Sequence, residues 1–156
     1  MTTEQEVWNN SPEVAKPPEL RHLCGLDCPV THLMARPPVF GDPEFTLRTV
    51  AEIMTRKGVG SLVLLGSDGP SALLTEHDLL FALASGTNLD ALWATDVSSL
   101  GLLFLDVSDT IADAIKIMAR EGVRHLPVRQ SGEVVGMVSA RDVIALVASL
   151  VPDRPE

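Results

Sequence analysis

Apolar residues recur in two stretches of the chain with the same phase. Leu47, Val50, Ala51 and Met54 fall at the i, i+3, i+4, i+7 spacing that puts them on one face of a helix. Ile111, Ala114, Ile115 and Met118 repeat that spacing at an offset of 64 residues. Thr46 and Thr110 stand just ahead of these runs and suit the N-cap, where a hydroxyl oxygen accepts from a first-turn N–H. Asp113 completes a capping box with Thr110, whereas Thr49 leaves the first copy with a weaker one. Gly58 and Gly122 suit the left-handed position that closes a helix.

After each helix the pattern changes to a β-hairpin. Residues 61–65 and 71–74 predict two strands joined by a turn at 67–70, and residues 124–129 and 134–138 predict two more joined at Ser131-Gly132. A second helix is predicted at 76–84 and again at 140–150, and short extended segments lead in at 38–40 and 102–105. The order is β-α-β-β-α, twice. Residues 46–83 align on 110–147 without a gap, and Thr75 and Asp78 fall on Ser139 and Asp142. A tandem copy of this kind is one supersecondary unit that needs its neighbour to bury its apolar face. The expected class is α/β (α+β). The expected division is a mobile arm over residues 1–20, copies over 28–86 and 90–150, and a tail over 151–156.

Bulk composition narrows the function. The chain has 156 residues and is 46% hydrophobic, enough for one compact domain or two dependent halves. A formal net charge of -9 argues against a phosphate-backbone binder, so no nucleic-acid partner is expected. No apolar run approaches the ~20 residues of a membrane span, and the opening MTTEQEVWNN lacks the apolar stretch of a signal peptide. Two cysteines make no disulfide framework, so the expected location is cytoplasmic, with no membrane partner.

The order of elements and the residues that carry it resemble the CBS domain pair, or Bateman module. The resemblance rests on residues 30–34 (VTHLM), 58–63 (GVGSLV) and 73–80 (LLTEHDLL), and in the second copy on 122–128 (GVRHLPV) and 135–143 (VGMVSARDV). It covers roughly residues 28–150. It implies two repeats packed through their sheets about a pseudo-two-fold axis, a homodimer, and clefts that take an adenosine derivative (AMP, ADP, ATP or S-adenosylmethionine). It also implies a stand-alone regulatory module acting on an as yet unknown protein target, with no catalytic residues and no required cofactor.

The resemblance assigns Asp78 and Asp142 to the ribose hydroxyls. A carboxylate suits this because it only accepts and can take two donors. Thr75, Ser139 and the helix-start N–H groups then face phosphate. The bland reading of the same residues is a capping box, and the two are compatible. Arg124 and His125 are phosphate candidates, with Arg141 and His77 behind them, because guanidinium donates in pairs to phosphate oxygens. The first copy has Gly60 and Ser61 in place of Arg124 and His125. Pro38, Val39, Leu103 and Phe104 are placed to line an adenine slot, helped by Met137 and Leu73. The family's glycine ahead of the Ser/Thr motif is kept as Gly136 but replaced by Ala72. If close approach to ligand needs glycine, the two sites are unequal and the second is preferred.

His22, Cys24, Cys28 and His32 form a second constellation of zinc-ligand types. Their H-x-C-x3-C-x3-H spacing departs from the C-x2-C knuckle. Zinc binding, a regulatory disulfide and inert buried cysteines all remain open. Three function classes follow: a nucleotide-sensing module, a structural dimerisation module with degenerate sites, and a metal sensor. No paired acid and base, nucleophile motif or Gly-rich phosphate loop points to an enzyme.

Overall fold

A computed structural model describes residues 25–35, 37–99 and 101–151. They form two compact units. One spans Val39–Leu102, and the other joins the described residues up to Pro38 with those from Leu103 onward. Each unit is a three-stranded sheet with helices, a mixed α+β arrangement.

In the first unit, β1 (Phe40–Gly41) runs parallel to β2 (Ser61–Gly66), and β2 pairs antiparallel with β3 (Gly69–Thr75). Helix α1 (Leu47–Lys57) makes the β1-to-β2 crossover. Helices α2 (Glu76–Ala84) and α3 (Ala94–Val97) follow the hairpin. The core is Leu47, Val50, Met54, Leu62, Leu64 and Leu74, the apolar positions of the periodic pattern. The second unit repeats this with β4 (Leu105–Asp106), α4 (Ile111–Glu121), β5 (His125–Gln130), β6 (Glu133–Ser139) and α5 (Ala140–Leu150). Its core contains Ile111, Ala114, Met118, Leu126, Val128 and Val138. Gly58 and Gly122 adopt left-handed conformations at φ 65° and 68° and end α1 and α4.

The copies agree in fine detail. Both hairpins shift register at the same place, between Leu64 and Leu65 and between Val128 and Arg129. At the first shift the Ser71 hydroxyl donates to the Leu64 carbonyl at 3.2 Å. Pro70 lies opposite Leu65 beside this irregularity, where a missing N–H is tolerated. Strand β3 therefore starts at Gly69, inside the turn expected at 67–70. In the second hairpin Ser131 and Gly132 both take positive φ (51° and 87°), the geometry of a tight primed turn.

Two elements were absent from the periodic pattern, a 3-10 turn at Val30–His32 and the four-residue α3. Each belongs to a lead-in that packs on the other copy's hairpin and first helix. Cys28 and Leu26 carbonyls accept from the N–H groups of Ile111 and Ala112 at 2.9 and 2.8 Å. Leu92 and Leu89 carbonyls do the same for Leu47 and Arg48 at 3.1 and 3.2 Å. The bridges Pro29–Thr110 and Trp93–Thr46 match at the repeat offset, and so do Ala35–Met137 and Ser99–Leu73. The packed units thus exchange the lead-ins of the sequence copies. An ion pair between Arg48 and Asp90 (2.6 Å) reinforces the first unit's exchange.

Two predictions follow from packing and capping. Leu62→Ala and Leu126→Ala each remove a fully buried side chain and should cost about 2–5 kcal/mol in urea denaturation. The second concerns Asp113, whose carboxylate accepts from the Thr110 hydroxyl at 2.7 Å and the Thr110 N–H at 3.1 Å. These bonds, the hydroxyl's first, hold Asp113 below its ordinary pKa. A depressed folded pKa means stability that is complete above the ordinary carboxylate value of about 4 and is lost as pH falls through the lower folded value. Thermal unfolding of wild type and Asp113→Asn should therefore differ at pH 7, and the difference should shrink toward pH 3.

Candidate functional site

The end of β6 and the start of α5 bring the second copy's candidates together. Ser139 is both the last strand residue and the N-cap. Asp142 Oδ2 accepts from the Ser139 N–H at 2.8 Å and from its hydroxyl at 2.5 Å. The Asp142 N–H in turn donates to Ser139 Oγ at 3.3 Å. Asp142 Oδ1 has no hydrogen bond among the described residues, so one carboxylate oxygen holds the cap while the other remains an acceptor. The Ala140 N–H donates to the Arg124 carbonyl at 2.8 Å. His125 lies directly opposite Ser139 in the β5–β6 register. Arg124 and His125 are therefore anchored beside Ser139 and Asp142 by backbone. Arg124 and Arg141 are exposed, and His125 is half-buried.

The first copy builds the same frame without the basic pair, having Gly60 and Ser61 in its place. Asp78 Oδ2 accepts from the Thr75 N–H at 2.7 Å and the Thr75 hydroxyl at 2.9 Å. The Glu76 N–H donates to the Gly60 carbonyl at 3.0 Å, and Thr75 pairs with Ser61. Ser61 is buried and His77 is exposed. The box itself is not diagnostic, because Thr110 and Asp113 form it at α4, where no residue pattern points to a ligand. What sets the Ser139–Asp142 box apart is that the backbone neighbours it is tied to, Arg124 and His125, are basic.

The expected slot residues divide between the units. Pro38, Leu103, Phe104 and Met137 belong to the second, and Val39 to the first. Val39 offers its carbonyl to the Val63 N–H at 3.0 Å, and Met137 exchanges both backbone hydrogen bonds with Ala35, at 2.8 and 3.1 Å. Leu73 likewise accepts from the Ser99 N–H at 3.1 Å. Phe104 has the Arg129 guanidinium over its ring at 5.3 Å from the centroid. Arg129 went unrecognised in the sequence. Its counterpart in the first copy is Leu65, a charge difference of the same kind as Arg124 against Gly60.

Gly136 has a role that sequence reasoning did not find. A Cβ on it would lie 2.5 Å from Met34 Sδ, 2.9 Å from Met34 Cγ and 3.1 Å from the Ala35 carbonyl. The space beside Gly136 is occupied by the protein's own lead-in, so the glycine is explained without a ligand. Ala72 fills the corresponding place in the first unit and is a core residue there.

Of the cysteine and histidine constellation, His22 and Cys24 lie outside the described residues. Cys28 is disulfide-bonded, so its sulfur does not offer a thiolate in this structure. His32 is exposed, with Nδ1 3.3 Å from the Pro29 carbonyl. Among the described residues no group of three or more His, Cys, Asp or Glu side chains is placed to hold a metal ion. Among them, too, no helix is long and apolar enough to cross a membrane.

Comparison with known proteins adds an independent line. The family model for the CBS domain matches residues 30–85 and again 94–149. An uncharacterized protein of Methanopyrus kandleri is 30% identical over 125 residues, covering 78% of this chain and 64% of its own length. The chain thus spans less than two thirds of that relative. A CBS domain protein from Pyrobaculum aerophilum, solved in complex with AMP, superposes with a TM-score of 0.70 at 30% identity, covering 79% of this chain and 98% of its own. The CBS domain pair of protein MJ0100, solved with 5-methylthioadenosine and S-adenosyl-L-methionine, gives a TM-score of 0.73 at 17% identity, covering 80% and 98%.

Because the Ser139 hydroxyl both donates to and accepts from Asp142, Ser139→Ala should destabilise the protein by about 1 kcal/mol in chemical denaturation. Ser139→Thr keeps the hydroxyl and should retain most of that stability.

Proposed function

This chain belongs to the CBS domain family, and on that footing we propose that it is a non-enzymatic regulatory module that binds an adenosine nucleotide at the Ser139–Asp142 end of its second unit. The observation that carries the reading is the Ala140 N–H bond to the Arg124 carbonyl. It fixes the backbone of a guanidinium-bearing residue at the start of the helix that carries Asp142, whose Oδ1 has no hydrogen bond among the described residues and is assigned to a ribose diol. Asp142 is assigned to the ribose, Ser139 and the Arg141 N–H to phosphate, and Arg124, His125 and the Arg141 side chain to phosphate charge. Pro38, Leu103, Phe104 and Met137 are assigned to the base. Thr75, Asp78 and Val39 form the weaker counterpart, which lacks basic residues at Gly60 and Ser61. The AMP complex of the Pyrobaculum relative supports the ligand class.

Binding would be read out through association, in the cytoplasm, with a second copy or a protein target. Exposed apolar side chains support this: Leu80, Phe81 and Leu83 on α2, and Ile144, Val147 and Leu150 on α5. Such exposure is costly to leave in water and favours a partner. One observation favours a second reading, a structural dimerisation module: the Asp142 cap is satisfied without any ligand.

The two readings separate in one experiment. Thermal unfolding with AMP, ADP, ATP and S-adenosylmethionine should show a rise that grows with the logarithm of ligand concentration for at least one of them, corresponding to about 2.7 kcal/mol at a hundredfold excess over Kd. Asp142→Ala should weaken that ligand about 10- to 100-fold, as expected for loss of charged hydrogen bonds, and more than Asp78→Ala does. No shift with any of the four supports the structural module instead. A larger loss from Asp78→Ala would move the preferred site to the first unit.

A further inference from the structure

The 64-residue offset continues beyond the aligned copies into the lead-ins, but crosswise. Ala35 pairs with Met137, and Ser99 pairs with Leu73. One residue before each bridge stand Met34 and Ser98, and one residue before each partner stand Gly136 and Ala72. The large side chain therefore belongs with the residue that has no Cβ, and the small one with the residue that has one. In the second unit this match is direct, because Met34 Sδ and Cγ fill the place a Gly136 side chain would take. Met34 is only 7% exposed, so it has little open space into which to retreat. The Ala35 carbonyl, which a Gly136 Cβ would also approach, is held by the Met137 N–H.

We propose that Met34 and Gly136 form a size-matched latch that fixes which lead-in docks on which hairpin. If the lead-ins were uncrossed, Met34 would face Ala72, whose methyl group occupies the notch. Ser98 would then face Gly136 and leave a void. The first arrangement overpacks and the second underpacks, so both errors disfavour the wrong pairing. The latch also ties the strap at residues 26–35 to the strand that delivers Ser139. The strap's far end is secured on α4 by the Leu26 and Cys28 carbonyls. The strap thus spans from the start of one helix to the strand that feeds another. None of this depends on the nucleotide reading, and the test uses ligand-free protein.

The test is a double-mutant cycle on the full chain, read by thermal unfolding and by amide hydrogen exchange. Gly136→Ala alone should lower Tm by about 3 °C or more and speed exchange of the Ala35 and Met137 amides. Met34→Ser alone should also lower Tm. The double variant, which reproduces the Ala72–Ser98 pairing, should lose clearly less than the sum of the two. A mirror cycle guards against failure to fold: Ser98→Met should be harmful alone and tolerated together with Ala72→Gly. Additive losses in both cycles would overturn the latch. So would Gly136→Ala leaving the Ala35 and Met137 amides as protected as in wild type.

Discussion

The first N–H groups of a helix have no partner within it, and in a packed unit something else must accept from them. In this chain the four long helices meet the requirement with carbonyls from other segments. Gly60 serves α2, Arg124 serves α5, Leu92 and Leu89 serve α1, and Cys28 and Leu26 serve α4. These bonds set the architecture. The caps on α2 and α5 lock each second helix to the start of the hairpin's first strand. The caps on α1 and α4 pull in a lead-in from elsewhere in the sequence and so define where each unit begins and ends. Core burial stabilises the units, and the helix starts secure the segments that meet there.

The candidate site is a by-product of one of these caps. Arg124 places its carbonyl at the start of α5, and this fixes the backbone of a basic residue beside the Ser139–Asp142 box. The first unit makes the same cap with Gly60 and gains nothing chemical from it. A single structural need thus yields two carboxylate-bearing helix starts, one beside Gly60 and Ser61 and the other beside the basic Arg124 and His125. The Asp142 carboxylate is also oriented beforehand, because two donors from Ser139 fix one oxygen. A ligand reaching the other oxygen meets an acceptor that need not lose rotamer freedom on binding.

Much of this was legible in the residues. The i, i+3, i+4, i+7 runs located α1 and α4, Thr46 and Thr110 marked their starts, and Gly58 and Gly122 marked their ends, because side-chain pattern and cap chemistry are local. β1 and β4 fell one to three residues beyond their expected bounds, since two-residue strands are defined by pairing rather than by pattern. The exchange of lead-ins was hidden because the Leu26 and Cys28 carbonyls that create it are backbone groups, which leave no mark in residue type. Aligning residues 29–35 with 93–99 shows that the lead-ins repeat, but not that they cross. The Gly136–Met34 contact was hidden for a related reason: a glycine signals close approach, but not of what, and here one close neighbour is Met34. Arg129 over Phe104 required the β4–β5 register, which no short window contains.

The crossed lead-ins have a consequence for how such a chain can change over time. A duplicated gene segment is often regarded as two modules free to drift apart. Here the residues that complete one module are carried at the threshold of the other. A replacement at Met34 alters the packing against Gly136, more than a hundred positions away. The inheritance unit and the folding unit are offset from each other, so a cut at the boundary between the copies would leave each fragment without the strap that covers its own sheet edge.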